Sequence, residues 1–187
     1  MKRYPLNICV FGAASDAISD KIRTESFDVG ELLGKRGHNL IYGAGSTGVM
    51  GAVARGFIST NPPTKPIGST THFIKDVENS FPEGVIHLIE CRTMAERKEI
   101  YNVSDVILVM PGGNGTGDEL LEYMTYKQLN DMDPCQDPYW NGRLLLFKSG
   151  VYKQWLDLWD AMYKEKMAPK WSKYVELVDM KKLKEIL

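Results

Sequence analysis

Apolar and polar positions alternate along the chain in a repeating strand-then-helix rhythm. Near-continuous apolar runs at Leu6–Phe11, Asn39–Tyr42, Pro66–Ser69, Val85–Glu90, Asp105–Met110 and Arg143–Phe147 predict strands. Stretches with apolar residues at helical spacing predict helices at Asp16–Lys35, Val49–Phe57, Met94–Val103, Glu119–Leu129, Lys153–Lys166 and Lys181–Ile186. Strands without an exposed polar face are buried on both sides, as in a parallel sheet covered by helices. The expected fold class is therefore α/β, a Rossmann-like three-layer sandwich with a mainly parallel sheet. No compositional break divides the chain, so residues 1–187 are expected to form a single nucleotide-binding domain. Two long connections, Ser59–Lys65 and Asn130–Asn141, are candidates for functional loops or surface detours.

The most informative stretch is Val106-Ile107-Leu108-Val109-Met110-Pro111-Gly112-Gly113-Asn114-Gly115-Thr116-Gly117-Asp118-Glu119. An apolar strand empties into a glycine-rich turn that opens a helix. Glycines let backbone N–H groups approach an anion, and a helix N-terminus adds partial positive charge. Pro111, Gly112, Gly113, Asn114, Gly115 and Thr116 are thus candidate phosphate-binding residues. A carboxylate beside a phosphate needs a purpose, which makes Glu119, with Asp118 beside it, the leading candidate for chemistry. Gly12 to Ser15, Gly43 to Gly48 and Cys91 to Thr93 also follow strand ends and precede helices. In a parallel sheet all four turns share one edge, where ligands bind. Gly12, Ser15, Gly43 and Gly45 join the candidate list on that ground, although Gly43–Gly48 also suits tight strand-to-helix packing. Its spacing fits neither the dinucleotide fingerprint nor the Walker loop. In the helix after the fourth strand, Met94, Arg97 and Lys98 can reach the same edge, and an Arg there can grip an anion through two N–H groups. The bland reading of that cluster is a solvated helical face.

Charge narrows the picture further. With 23 basic and 24 acidic residues the chain carries no excess that would draw nucleic acid or a membrane surface. Its start, Met-Lys-Arg-Tyr-Pro, has no apolar leader, and no run approaches a membrane span, so a cytoplasmic protein is expected. Cys9 and Cys91 lie in apolar runs and are expected as buried free thiols; Cys135 shares no CxxC spacing with either. No His stands at metal-ligand spacing, and His87, within an apolar run, is expected as a satisfied core histidine. Trp155, Trp159 and Tyr163 recur at helical spacing and are expected in the core. Leu120, Leu121 and Met124 share a helical face that suits either core or a subunit contact. No metal is called for, and no lysine is marked as a Schiff-base site for pyridoxal phosphate.

Pro111-Gly112-Gly113-x-Gly115-Thr116-x-x-Glu119, preceded by Met94-x-x-Arg97-Lys98 and Tyr42-Gly43-x-Gly45-x-x-Gly48-x-Met50-Gly51, resembles the LONELY GUY family. Its members are cytokinin riboside 5′-monophosphate phosphoribohydrolases, long misannotated as lysine decarboxylases. The resemblance spans Asn7 to Phe147. It implies hydrolysis of the N-glycosidic bond of a nucleoside 5′-monophosphate, cytokinin-type or AMP-like, to free base and ribose 5-phosphate. It also implies that Arg97 and Glu119 are the catalytic pair, that the glycine-rich turn holds the phosphate, that no cofactor is needed, and that the protein is a homodimer. Ala95 stands where many members carry His, and Ala44 interrupts a triple glycine. A non-catalytic nucleotide or molybdenum-cofactor carrier on the same scaffold is the alternative.

Overall fold

The computed structural model describes residues 5–77, 79, 81–133 and 139–187. Cys135, the middle of the Asn130–Asn141 connection and the first four residues of the expected leaderless start lie outside them. Among the described residues seven strands, β1 (Asn7–Phe11), β2 (Asn39–Tyr42), β3 (Ile67–Thr71), β4 (His87–Cys91), β5 (Val106–Val109), β6 (Arg143–Phe147) and β7 (Glu176–Val178), form one sheet. Among the same residues seven α-helices accompany them: α1 (Asp20–Lys35), α2 (Gly48–Ser59), α3 (His72–Val77), α4 (Met94–Tyr101), α5 (Asn114–Met132), α6 (Lys153–Lys164) and α7 (Met180–Ile186). The strand order is β4-β3-β2-β1-β5-β6-β7 and each pairing is parallel. The expected α/β sandwich is therefore what the chain forms, with a sheet that is parallel throughout.

Period-two alternation places successive strand residues on opposite faces of the sheet. Ile8 and Val10 of β1 pack with Val106 and Leu108 of β5 in one core, which also holds Val29 and Leu33 of α1, Val53 and Phe57 of α2 and Leu183 of α7. Cys9 and Phe11 pack with Ile107 and Val109 in a second core against Tyr101 of α4, Leu120 and Tyr123 of α5 and Trp159 of α6. The chain winds outward from β1 to β4, returns to the centre with β5, and winds outward again. The β1/β5 boundary is thus the topological switch point, where the turns leaving adjacent strands diverge and open a crevice.

Several elements differ from the sequence expectation for physical reasons. Strand β4 is an edge strand with one side unpaired, so only Cys91 of it is buried and His87 and Glu90 are exposed. The satisfied buried histidine is His38, whose Nδ1 accepts from the Leu6 N–H at 3.2 Å and whose Nε2 lies 3.3 Å from the Leu187 carbonyl. Trp159 is buried and Trp155 half-buried, but Tyr163 near the end of α6 is exposed. Leu120 and Met124 belong to the core, whereas Leu121 is exposed. Cys9 and Cys91 are buried free thiols. Helix α3 and strand β7, both short, were not anticipated. The two long connections enter β3 and β6 at their N-terminal ends, the sheet edge opposite the switch-point crevice.

Helices α1 and α2 lie backbone against backbone. A Cβ on Gly30 would fall 1.9 Å from the Val53 carbonyl oxygen, and one on Gly56 2.0 Å from that of Phe27. Alanine forms helix better than glycine by about 1 kcal/mol, yet here it would force the helices apart. We expect Gly56→Ala to destabilise the protein by about 2 kcal/mol, within the range for overpacking. Urea unfolding would measure this; an unchanged or raised midpoint would contradict the packing described.

Candidate active site

The crevice at the switch point is a cavity of about 300 Å³ lined by Gly12, Ala13, Ala14 and Ser15 after β1, Met50 of α2, Arg97 of α4, and Gly113, Gly115, Thr116 and Glu119 at the start of α5. Helix α5 begins at Asn114, a full turn earlier than glycine content suggests. Tertiary packing overrides the weak propensity. A Cβ on Gly117 would lie 2.4 Å from the Trp155 ring, so the helix start is pressed onto α6, where only glycine fits. Glu119 consequently sits in the second turn of α5, not the first.

The N-terminus of α5 is uncapped. Serine or threonine hydroxyls cap α1 through Ser19 and α4 through Thr93, whereas the residue before α5 is Gly113, which has no side chain. The N–H groups of the first turn, Asn114 to Thr116, have no intrahelical acceptor. Gly117 N–H is the first to find one, the Gly113 carbonyl at 2.9 Å. A Cβ on Gly113 or Gly115 would meet nothing within 4 Å, so the free donors border open space. Gly112 contributes differently. A Cβ there would strike the Thr116 hydroxyl at 2.1 Å, and its N–H faces the Tyr152 hydroxyl, which itself donates to the Met110 carbonyl. Pro111 is buried and its carbonyl accepts from the Ala13 N–H at 3.1 Å, tying the two turns together.

The second glycine-rich turn is not part of the cavity. The Val49 N–H is taken by the Ala13 carbonyl at 2.8 Å, the Gly48 N–H by Asp16 Oδ1 at 3.3 Å, and the Thr47 hydroxyl donates to the Ala14 carbonyl. The first-turn donors of α2 at Gly48 and Val49 are therefore spent on the β1 loop. Gly43 and Gly45 are buried, and a Cβ on Gly43 would lie 2.6 Å from Arg97 Nη2. The packing alternative describes Gly43, and neither Gly43 nor Gly45 lines the cavity.

Arg97 is buried, which a solvated-face reading of its cluster does not allow. Its Nε donates to the Ser69 carbonyl at 3.0 Å and its Nη2 to the Gly43 carbonyl at 3.3 Å. Its guanidinium carbon stands 5.9 Å from the centre of the Tyr101 ring. Among the described residues Nη1 has no hydrogen-bond partner, and the group still borders the cavity. Lys98, one residue on, turns away from the cavity and bridges Asp118 at 2.8 Å and Glu122 at 2.7 Å on α5. Met94 is exposed at the start of α4 and does not line the cavity, while Ser15 does. Met50, Ala13 and Ala14 line it without having been singled out by residue type.

Glu119 is half-buried and its carboxyl has no hydrogen-bond partner among the described residues. Burial pushes its pKa up to about 7; the Arg97 and Lys98 charges oppose the rise, and Asp118 and Glu122 add to it. The site thus holds a carboxyl poised between its two forms at neutral pH, an arginine fixed from below and a helix end with free N–H donors. Among the described residues no three His, Cys, Asp or Glu side chains converge where a metal could be held, and no helix is long and apolar enough to cross a membrane.

Fold and cavity together define an α/β protein with an uncapped helix end and a half-buried carboxyl at the switch point. The family model described as "Possible lysine decarboxylase" matches residues 50–185. "Probable cytokinin riboside 5'-monophosphate phosphoribohydrolase LOGL1" of Oryza sativa subsp. japonica is 31% identical over 161 residues, covering 77% of this chain and 66% of that protein. "Cytokinin riboside 5'-monophosphate phosphoribohydrolase LOG3" of Arabidopsis thaliana is 32% identical over 150 residues, covering 77% and 68%. The chain belongs to this LONELY GUY, lysine-decarboxylase-like family. It spans about half to two thirds of the length of the curated relatives it matches. Similar solved structures include the molybdenum cofactor binding protein from Rippkaea orientalis, with 16% identity, and the molybdenum cofactor carrier protein from Chlamydomonas reinhardtii, with 17%. Each has a TM-score of 0.64 and covers 94% of this chain and 90% of the other. At such identity the likeness establishes the fold.

The buried carboxyl has a consequence for stability. An unfolded glutamate ionises near 4.5, whereas folded Glu119 keeps its proton to about 7. Between those values the folded state binds more protons, so its stability is full below the lower value and falls as pH rises through the higher one. Glu119→Gln removes this loss. We expect it to match wild type near pH 4 and to be more stable at pH 8 by on the order of 2 kcal/mol, read as a higher Tm. Equal melting at both pH values would contradict the burial assigned to Glu119.

Proposed function

We propose that this protein is a nucleoside 5′-monophosphate phosphoribohydrolase, releasing a free purine-type base and ribose 5-phosphate. One observation carries the reading: the unpartnered, half-buried carboxyl of Glu119 faces a cavity shared with Arg97 and the uncapped start of α5. The N–H groups of Asn114, Gly115 and Thr116 would receive the 5′-phosphate, supported by the helix dipole. That places the ribose between phosphate and Glu119.

The C1′–N bond breaks with its electron pair leaving on the base nitrogen, and positive charge develops on the sugar. An ionised Glu119 stabilises that charge in a partly water-excluded site, where a fixed carboxylate acts more strongly than in bulk water. Water then adds to C1′. Glu119 either takes the water proton or first bonds C1′ itself, and the proton released balances the one gained by the departing base. Arg97 would orient the substrate through its free Nη1 edge. The names of the relatives, the shared motifs and the nucleotide-sized cavity support this reading. A carrier role would not need a destabilising carboxyl aimed at its ligand. A homodimer, carried by the family resemblance, belongs to the same proposal, and Leu121 and Leu129 are exposed apolar side chains of α5 available to it.

Binding energy from the remote phosphate can position the glycosidic bond, so its loss lowers turnover as well as affinity. We expect AMP, or its isopentenyl form, to be cleaved with a kcat/KM at least about 100-fold above that of the matching nucleoside. Triphosphates should also be poorer substrates, because the single helix end accommodates one terminal phosphate. Glu119→Gln and Arg97→Ala are each expected to lower kcat by on the order of 100-fold or more. Comparable rates on nucleoside and monophosphate would overturn the phosphate assignment, and a near-wild-type Glu119→Gln would overturn the catalytic one.

A further inference from the structure

Lys98 follows Arg97 directly, and successive helical residues point about 100° apart. Arg97 therefore reaches under the cavity while Lys98 reaches sideways to α5. Its ammonium meets Asp118 at 2.8 Å and Glu122 at 2.7 Å, the residues one before and three after Glu119. These two carboxylates bracket Glu119 within one helical turn. The Lys98–Glu122 pair is partly shielded, with side chains 23% and 22% exposed, and so is weakly screened, whereas the Asp118 side chain is 62% exposed and its charge is screened by solvent. A second tie, Tyr123 Oη donating to Asn102 Oδ1 at 2.9 Å, joins the same helices further along. Tyr126 Oη also donates to Glu122 Oε1 at 2.7 Å, which fixes that carboxylate from its own helix.

We propose that Lys98 is a positioning residue for the reaction proposed above, its ammonium holding the α5 turn that carries Glu119 against α4 and neutralising the two carboxylates that bracket it. The inference rests on the functional reading of Glu119, but its electrostatic content belongs to the protein alone. The charged and titratable groups around Glu119 are Arg97, Lys98 and Tyr101 of α4, Asp118 and Glu122 of α5, Cys9 of β1, and Tyr152. Cys9, Tyr101 and Tyr152 are held in their neutral forms by burial, each pushed above its ordinary value. On top of burial, the charge balance at Glu119 is therefore two cations against two carboxylates. Of the two cations, Lys98 is the one in direct contact with both carboxylates. Removing it leaves two uncompensated negative charges beside the reacting carboxyl, which then ionises at higher pH. Lys98 is not offered as a phosphate ligand, because its ammonium is committed to α5 and does not line the cavity.

The test compares Lys98→Met, Lys98→Arg and the double variant Asp118→Asn/Glu122→Gln by two readouts. One is the pH dependence of kcat/KM on AMP; the other is the titration of the Glu119 carboxyl by ¹³C NMR in protein without substrate. In Lys98→Met both midpoints should move up by about one pH unit, lowering kcat/KM at pH 6 roughly tenfold. The double variant should move them down, and Lys98→Arg should keep the wild-type midpoint. A merely structural tie would lower rate or stability without these opposite shifts. A wild-type midpoint in Lys98→Met, or an upward shift in the double variant, would overturn the proposal. If wild type cleaves no monophosphate, the functional reading fails, while the NMR titration still decides the role of Lys98.

Discussion

The burial of the Arg97 guanidinium is the constraint around which the site is arranged. A cation removed from water needs hydrogen bonds to offset its lost hydration. Here the offset comes from the carbonyls of Gly43, just after β2, and of Ser69, in the middle of β3, and from the Tyr101 ring beneath. Those contacts fix α4 to the sheet edge and explain why position 43 has no side chain. No ion pair with Glu119 closes across the gap among the described residues. The cavity between the two groups is thus lined by charges of opposite sign that do not consume each other.

The same economy governs the surrounding turns. Both glycine-rich segments follow strand ends, yet among the described residues only one leaves its first-turn N–H groups without a protein acceptor. At α2 the first-turn N–H groups of Gly48 and Val49 are absorbed by Asp16 and Ala13. At α5 glycine supplies no cap, and Trp155 presses the helix start into place. A rigid scaffold holding free donors and a carboxyl with a raised pKa trades stability for chemistry, the expected signature of a functional site. Related folds host different functions, so the meaning of the site lies in these side chains rather than in the sandwich.

Much of this was legible from the chain. Apolar runs such as Val106–Met110 can be buried on both faces only in a helix-covered sheet, and strand–turn–helix order put Arg97 and Glu119 on one edge. What stayed hidden depends on neighbours that sequence spacing does not reveal. His87 lies in an apolar run, but β4 is an edge strand, so one flank of that run faces water. The start of α5 is glycine-rich, and its helicity comes from α6 packing. Gly43 belongs to a segment that resembles a cradle by composition, and by geometry it makes room for Arg97. The partners of Lys98 are about 20 and 24 residues away in sequence, a separation no local pattern records.

The central claim is that Glu119 and the α5 N-terminus together cleave an N-glycosidic bond. Incubating the wild-type protein with AMP and its isopentenyl form in H₂¹⁸O, and analysing the products by mass spectrometry, tests this most directly. The account predicts equimolar free base and ribose 5-phosphate, with one solvent-derived oxygen at C1. Nucleotide that binds saturably yet returns intact, or products in which the phosphate ester rather than the glycosidic bond is broken, would contradict it.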